Sequence, residues 1–203
     1  MLKRLSIEAA VAVLKQGGVV VFPTETSYGI GCRASDADAV ARVVHAKGRP
    51  DGKPLPVLLP SVETLRRQHL ESPLVVLAEA FWPGPLTLVV PAFPGLPPAI
   101  TADTNMVGVR VSAHPIAQSL VKGLGEPLVA TSANRSGQPA AASVAECDAA
   151  GLIGVDGLVA GDTVSGTSST VVGLDRGDLR VHRHGPITEA MLRAVWEPAR
   201  SLN

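Results

Sequence analysis

Apolar residues recur with two periods along this chain, and the two predict different elements. From Ser6 to Lys15, Ile7, Val11 and Leu14 fall on one face of an amphipathic helix, with Ser6 as N-cap and Gly17-Gly18 ending it. Val19 to Phe22 is instead an unbroken apolar run, short enough for a strand buried on both faces. It gives way to Pro23-Thr24-Glu25-Thr26-Ser27-Tyr28-Gly29, and polar residues directly after a buried strand are where α/β proteins gather ligand contacts. Ser35 is predicted to cap a second helix, with Asp36 and Asp38 favouring its dipole and Val40, Val43 and Val44 facing inward. Leu55 to Leu59 is a second strand. Ser61 and Ser72 cap two further helices, the latter with Pro73 at its first position.

Trp82-Pro83-Gly84-Pro85 is a hard break and Leu86 to Pro91 a strand. Pro91 to Asn105 is a Pro-rich irregular loop rather than a linker, since strand-like sequence resumes at Val107 to Val111. His114 to Lys122 fits a helix. Leu128 to Thr131 is another buried strand, running out into Ser132-Ala133-Asn134-Arg135-Ser136-Gly137. Ser143-x-x-Glu146 is a capping box for a short helix. Leu158 to Ala160, Thr170 to Leu174 and Leu179 to Arg183 are three more strands, and Thr188 caps a last helix to about Trp196. Helices and strands alternate early and strands cluster late, without an internal repeat. The prediction is an α/β fold on a mixed sheet, one domain over residues 1–203.

Composition narrows what such a domain does. Aromatics make up 3% of the 203 residues, so the core is built from Val, Leu, Ala and Ile, and few rings remain for stacking bases. Lys plus Arg balance Asp plus Glu at 18 each, where a dedicated nucleic-acid binder carries a basic excess. Stable RNA or DNA binding is therefore not expected, although a local basic pocket is compatible with zero net charge. Cys32 and Cys147 are too few for a disulfide scaffold or a four-ligand zinc site and read as buried small residues. The N-terminus lacks the apolar core of a signal peptide, and no window reaches membrane-spanning length. The expected setting is cytosolic and soluble, with no membrane partner.

The densest candidate chemistry is Lys47-Gly48-Arg49-Pro50-Asp51-Gly52-Lys53. Its glycines weaken a helix and Pro50 drives Arg49 into an extended conformation, which leaves three cations on a stiffened loop. Taken alone the loop is read either as solvated surface or as a cradle for a polyanion. Arg183 ends one predicted strand and Arg110 lies next to the end of another, while hydroxyls of Thr26 and Ser132 follow predicted strands and that of Ser169 precedes one. If those ends converge, five cations share one cleft with no obvious carboxylate partner. Either they point outward separately or a polyphosphate-like ligand is expected. The sequence does not choose. A P-loop, a Rossmann G-x-G-x-x-G and a G-x-S-x-G elbow are all missing. His182 and His184 flank Arg183 on one strand face without a third metal ligand, and helix-start acids explain Asp36-x-Asp38 better than a magnesium site. No protein metal site is predicted.

Ordered motifs narrow the choice. Pro23-Thr24-Glu25-Thr26-x-Tyr28-Gly29-x-Gly31 is followed by Lys47-x-Arg49-Pro50-x-x-Lys53-Pro54-Leu55 and by Trp82-Pro83-Gly84-Pro85-Leu86-Thr87. Val109-Arg110-Val111, Thr131-Ser132-Ala133-Asn134-x-Ser136-Gly137, Ser169-Thr170-Val171 and Arg183-x-Gly185 come next. The set resembles the YrdC-type threonylcarbamoyl-AMP synthase family from about Ile7 to Gly185. The resemblance implies a twisted, mixed β-sheet flanked by helices around a large positively charged cavity. It also implies a reaction: L-threonine, bicarbonate and ATP give L-threonylcarbamoyladenylate and pyrophosphate, for N6-threonylcarbamoyl modification of tRNA adenosine 37. The product would pass to the tRNA threonylcarbamoyl-transfer machinery.

By motif, the resemblance places ATP on Arg49, Lys53, Ser132, Asn134 and Arg183. Lys47 lines the same phosphate region, and Lys47 and Arg49 carry catalysis there. Threonine falls to Thr26, Arg110 and Ser169, with Arg110 on its carboxylate. Mg2+ would ride on phosphate oxygens. Many relatives carry a Ser and a His where this chain has Ala140 and Leu58, so one nucleotide or threonine contact is lost or made by backbone. Longer relatives append a C-terminal domain, and a chain ending at Asn203 is expected to be the short form. A non-catalytic RNA-binding relative and a carbamoyl-adenylate-forming enzyme are the alternatives.

Overall fold

The computed structural model describes residues 1–48, 52–68, 73–162 and 167–200, the side chain of Arg200 excepted. Arg49, Pro50 and Asp51, and the Ser72 cap, lie outside the described residues. The chain runs α1 (Ile7–Lys15), β1 (Val20–Pro23), β2 (Tyr28–Gly31), α2 (Ala37–Lys47), β3 (Val57–Leu58), α3 (Val62–Arg67) and α4 (Val75–Phe81). β4 (Leu86–Pro91), α5 (Pro98–Thr101), β5 (Met106–Arg110), α6 (Pro115–Leu124), β6 (Leu128–Val129) and β7 (Thr131–Ser132) follow. α7 (Val144–Ala149), β8 (Gly157–Leu158), β9 (Thr170–Asp175), β10 (Asp178–Arg183) and α8 (Glu189–Arg200) complete it.

The expected α/β fold with mixed strands is present, its strands divided between two sheets. One has the order β7-β2-β1-β8, the other β10-β9-β4-β5-β3-β6. β1 shows why its sequence is apolar throughout. Val19 and Val21 pack into the larger core, which also takes Ile30, Leu88, Val109 and Val129. Val20 and Phe22 enter a smaller core with Ala10 and Leu14 of α1 and Leu120, Val121 and Leu124 of α6. A strand clad on both sides has no polar phase to display.

Several ends differ from the predicted ones for local reasons. Asp36, not Ser35, caps α2: its carboxylate accepts from Ala39 N at 3.0 Å, while the Ser35 hydroxyl goes to Glu126. A carboxylate both satisfies the orphan N–H and complements the dipole, so the nearer acid wins. The strand expected over Leu55–Leu59 shrinks to Val57–Leu58, because Pro54 and Pro56 have no N–H to give a ladder. α4 starts at Val75, two residues beyond Pro73. The irregular Pro91–Asn105 stretch contains the one-turn α5, begun by Pro98. Tyr28–Gly31, read as part of a polar run, is a buried strand paired antiparallel to β1, Pro23 opposite Tyr28.

The predicted strand Leu128–Thr131 is two strands. β6 pairs with β3 in the larger sheet, β7 with β2 in the smaller, and Ala130 alone separates them. The sheets meet here. Val129 N donates to Cys32 O at 2.9 Å, and a Cβ added to Gly31 would overlap the Val129 carbonyl. Gly31 is therefore required by close backbone approach.

Candidate active site

The strand directions of the larger sheet bring the predicted residues to one end. β4 and β9 run parallel, while β5 and β10 run antiparallel to them. The last residues of β5 and β10, Arg110 and Arg183, therefore lie at the same end as Thr87 and Ser169 at the starts of β4 and β9. The register of β10 on β9 shifts between Val181 and Arg183, a bulge that re-aims the Arg183 side chain. Its Nε donates to Ser169 O at 2.9 Å and its Nη2 to Ser169 Oγ at 3.0 Å. Ser169 Oγ lies 2.8 Å from Thr87 Oγ1. Gly185 lets the chain turn back over this end, since a Cβ there would stand 2.5 Å from Thr170 N.

The smaller sheet closes over the same place with the tip of its β1–β2 hairpin. Thr24 shapes the tip: its hydroxyl donates to Ser27 O at 2.7 Å and accepts from Thr26 N at 3.2 Å. This turn presents Glu25 and Thr26 to Arg110. Arg110 Nη1 lies 3.4 Å from Thr26 Oγ1 and 3.4 Å from Glu25 Oε1, and the Ser112 hydroxyl donates to Glu25 Oε2. The side chains of Arg110 and Glu25 are only 9% and 11% exposed, so this charge pair is nearly out of water.

Burial pushes the Arg110 guanidinium down from its ordinary pKa, and Glu25 opposes the shift. Arg183 is pushed down by burial and then by the positive charge of Arg110. Desolvating an ion costs several kcal/mol, and like charges held together add to that. The expectation that these cations lack a carboxylate partner is corrected here: Glu25 is the partner of Arg110. It was legible as the acid inside the polar run that follows β1, but spacing did not say which cation it would meet. Ser112 and Thr87 were also missed. Both lie beside strand ends that had been read, and only the register brings them in.

A second group forms where α2 meets β7. Lys47, the last residue of α2, is 2% exposed. Its Nζ donates to Ser132 O, to Asn134 O at 2.9 Å and to Asn134 Oδ1 at 3.3 Å. The Asn134 amide donates to Arg135 O at 2.9 Å and Gln138 O at 2.6 Å, and Ser136 N donates to Lys47 O at 2.8 Å. Lys47 and Asn134 thus fold the loop they belong to. The two groups are joined through β2, since Gly29 pairs with Ser132 and Ala133 N donates to Tyr28 O at 2.8 Å. Lys53 is exposed just beyond the left-handed Gly52, and Arg49 lies outside the described residues.

Other predicted features fall elsewhere. Leu58 packs into the smaller core with Phe22 and Leu128. His182 and His184 are exposed, and among the described residues no three His, Cys, Asp or Glu gather as metal ligands. An open depression of about 390 Å³ beside α2 is lined by Ala41, Val44, His45, Gly48 and Ala99, among them no predicted site residue.

One buried guanidinium, a second that is more exposed, a carboxylate and a fan of hydroxyls at the end of a sheet make a candidate anion-receiving site in a two-sheet α/β protein. The family model for Sua5, YciO and YrdC, described as "Telomere recombination", matches residues 12–185, and the chain belongs to that family. A Bacillus subtilis (strain 168) relative named threonylcarbamoyl-AMP synthase is 39% identical over 197 residues, covering 95% of this chain and 57% of its own. A relative of the same name from Xanthomonas campestris pv. campestris (strain B100) is 39% identical over 160 residues, 77% of this chain and 86% of its own. The crystal structure of Pyrococcus abyssi Sua5 complexed with L-threonine superposes with a TM-score of 0.82 at 33% identity, covering 95% of this chain and 59% of that one. The chain thus spans under two thirds of the Bacillus and Pyrococcus proteins and most of the Xanthomonas one.

Proposed function

We propose that this chain makes L-threonylcarbamoyladenylate and pyrophosphate from L-threonine, bicarbonate and ATP; its Bacillus and Xanthomonas relatives are named threonylcarbamoyl-AMP synthase. The observation that carries the reading is the convergence of Arg110 and Arg183, with Glu25 as the facing carboxylate. An amino-acid carboxylate and a nucleotide phosphate bring the negative charge that this group lacks. Arg110, with Thr26 and Ser169, takes the threonine carboxylate and hydroxyl. Arg183 stands between threonine and nucleotide. Arg49, Lys53, Ser132 and Asn134 take ATP, and together these cations make the positively charged cavity.

The chemistry needs no covalent enzyme intermediate. The threonine amine attacks the carbon of bicarbonate, water leaves, and an N-carboxylate forms. One of its oxygens then attacks the α-phosphorus, and the bond to the bridging oxygen breaks to release pyrophosphate. Carboxylate and triphosphate repel, so the protein must hold two anions in line and stabilise charge on the leaving group. Arg183 and Arg49 serve those ends. Lys47, buried on Ser132 and Asn134, serves by fixing the loop on which the phosphates rest. Magnesium enters as part of the nucleotide substrate, on its phosphate oxygens. The labile product passes to tRNA threonylcarbamoyl-transfer machinery in the cytosol. No helix among the described residues is long and apolar enough to cross a membrane.

The test is pyrophosphate release from Mg-ATP with each substrate omitted in turn. Release that needs both threonine and bicarbonate, with the adenylate identified by mass, supports the reading. Release with carbamoyl phosphate in their place, or none at all, overturns it.

A further inference from the structure

We propose that Glu25 is a specificity-determining residue that reads the ammonium group of the amino-acid substrate while Arg110 reads its carboxylate. The inference rests on the amino-acid reading of this site. Glu25 at the β1–β2 hairpin tip and Arg110 at the end of β5 face each other, 3.4 Å apart and almost wholly buried. Were neutralising Arg110 the whole role of Glu25, a forked pair at about 2.7–2.9 Å would be the stable arrangement. The observed approach, at 3.4 Å, is longer, and it falls on Nη1, the nitrogen that also faces Thr26 Oγ1. The contact on Nη1 leaves the Nε/Nη2 side, one of the two edges through which a guanidinium forks onto a carboxylate, for a second carboxylate. Glu25 is steadied independently, by the Ser112 hydroxyl on its other oxygen, so its place does not depend on gripping Arg110 tightly.

An α-amino acid carries its carboxylate and its ammonium one carbon apart. A guanidinium and a carboxylate set next to each other are the complement of that pair, and a substrate with only one of the two charges meets only one half of it. The same contact places the nitrogen that must become the nucleophile beside the Glu25 carboxylate.

The test is a ligand-by-residue cycle on the whole chain, with α,β-methylene ATP present. L-Threonine and 2,3-dihydroxybutanoate, which has hydroxyl in place of ammonium, are titrated into the wild type and Glu25→Gln. The wild type is expected to prefer threonine by about tenfold or more, the scale of a charged hydrogen bond. Glu25→Gln is expected to lose that factor for threonine and to change by less than about twofold for the hydroxy acid. An equal loss for both ligands overturns the inference, because Glu25 then acts only by holding Arg110. Equal wild-type affinity for the two also overturns it, and that arm needs no variant to fold. Binding of threonine without discrimination removes this inference alone, whereas a wild type that binds neither ligand removes the amino-acid reading of the site as well.

Discussion

Arg183 grips Ser169 twice, Nε on the backbone carbonyl at 2.9 Å and Nη2 on the hydroxyl at 3.0 Å. The guanidinium that ends the last strand is thereby fixed to the residue that opens the strand beside it. Two donors in a rigid fork are what lysine lacks. Arg183→Lys is expected to raise the ATP KM about tenfold or more, as the charge survives and the geometry does not. Steady-state kinetics check this, with an unfolding midpoint close to wild type as the control. An unchanged KM removes Arg183 from the nucleotide.

Arg110→Ala is expected to raise the threonine KM by about tenfold or more and the ATP KM by much less, because Arg110 faces Thr26 and Glu25. Equal effects on both substrates reject its assignment to the amino-acid carboxylate.

Lys47→Met separates a folding role from a binding one. It strips the shared donor from Ser132 O, Asn134 O and Asn134 Oδ1 in a buried place. Leaving such acceptors unanswered costs about 1–3 kcal/mol, so the urea midpoint is expected to fall together with ATP affinity. A loss of affinity with unchanged stability shows instead that Lys47 acts on phosphate directly.

Gly31→Ala is expected to be among the most damaging single changes, since its methyl group would overlap the Val129 carbonyl, a backbone atom beside the Val129 N to Cys32 O bond. A loss of about 3 kcal/mol or more, or failure to fold, is expected from such overpacking. A variant with wild-type stability disproves the close approach.

Burial pushes the thiols of Cys32 and Cys147 up from 9.0 to about 12. In the unfolded chain they ionise at the ordinary value. Unfolding therefore takes up hydroxide between pH 9 and 12, and stability falls as pH rises through that window, while below it the thiols contribute no pH dependence. Denaturation monitored from pH 8 to 10.5 is expected to show this decline beginning near 9. A double Cys→Ala variant that declines just as steeply assigns the effect to other groups.

The sequence carried much of this arrangement because its apolar runs and its punctuation agree. Val19–Phe22, Leu86–Pro91 and Thr170–Leu174 became strands near their predicted ends, and Ser6 and Ser143 cap the helices they announced. What stayed hidden depends on contacts distant in sequence. Tyr28–Gly31 has two glycines and follows polar residues, so nothing local marks it as a strand; pairing with β1 does. Leu128–Ser132 reads as one run because a change of sheet leaves no local mark. In the site, Thr26, Arg110, Ser169 and Arg183 come together as one group, with Glu25 and Ser112 added by the fold. Ordered motifs name the first four, but only register finds their counter-charge.

Ala130 works as a ruler. On one side the chain belongs to the sheet that ends in Arg110, and on the other to the sheet that carries the loop around Lys47. One added residue would slide those groups past each other by about 3.3 Å and turn the following side chains over. Here spacing outranks chemistry: many small side chains would serve, but no other number of residues would.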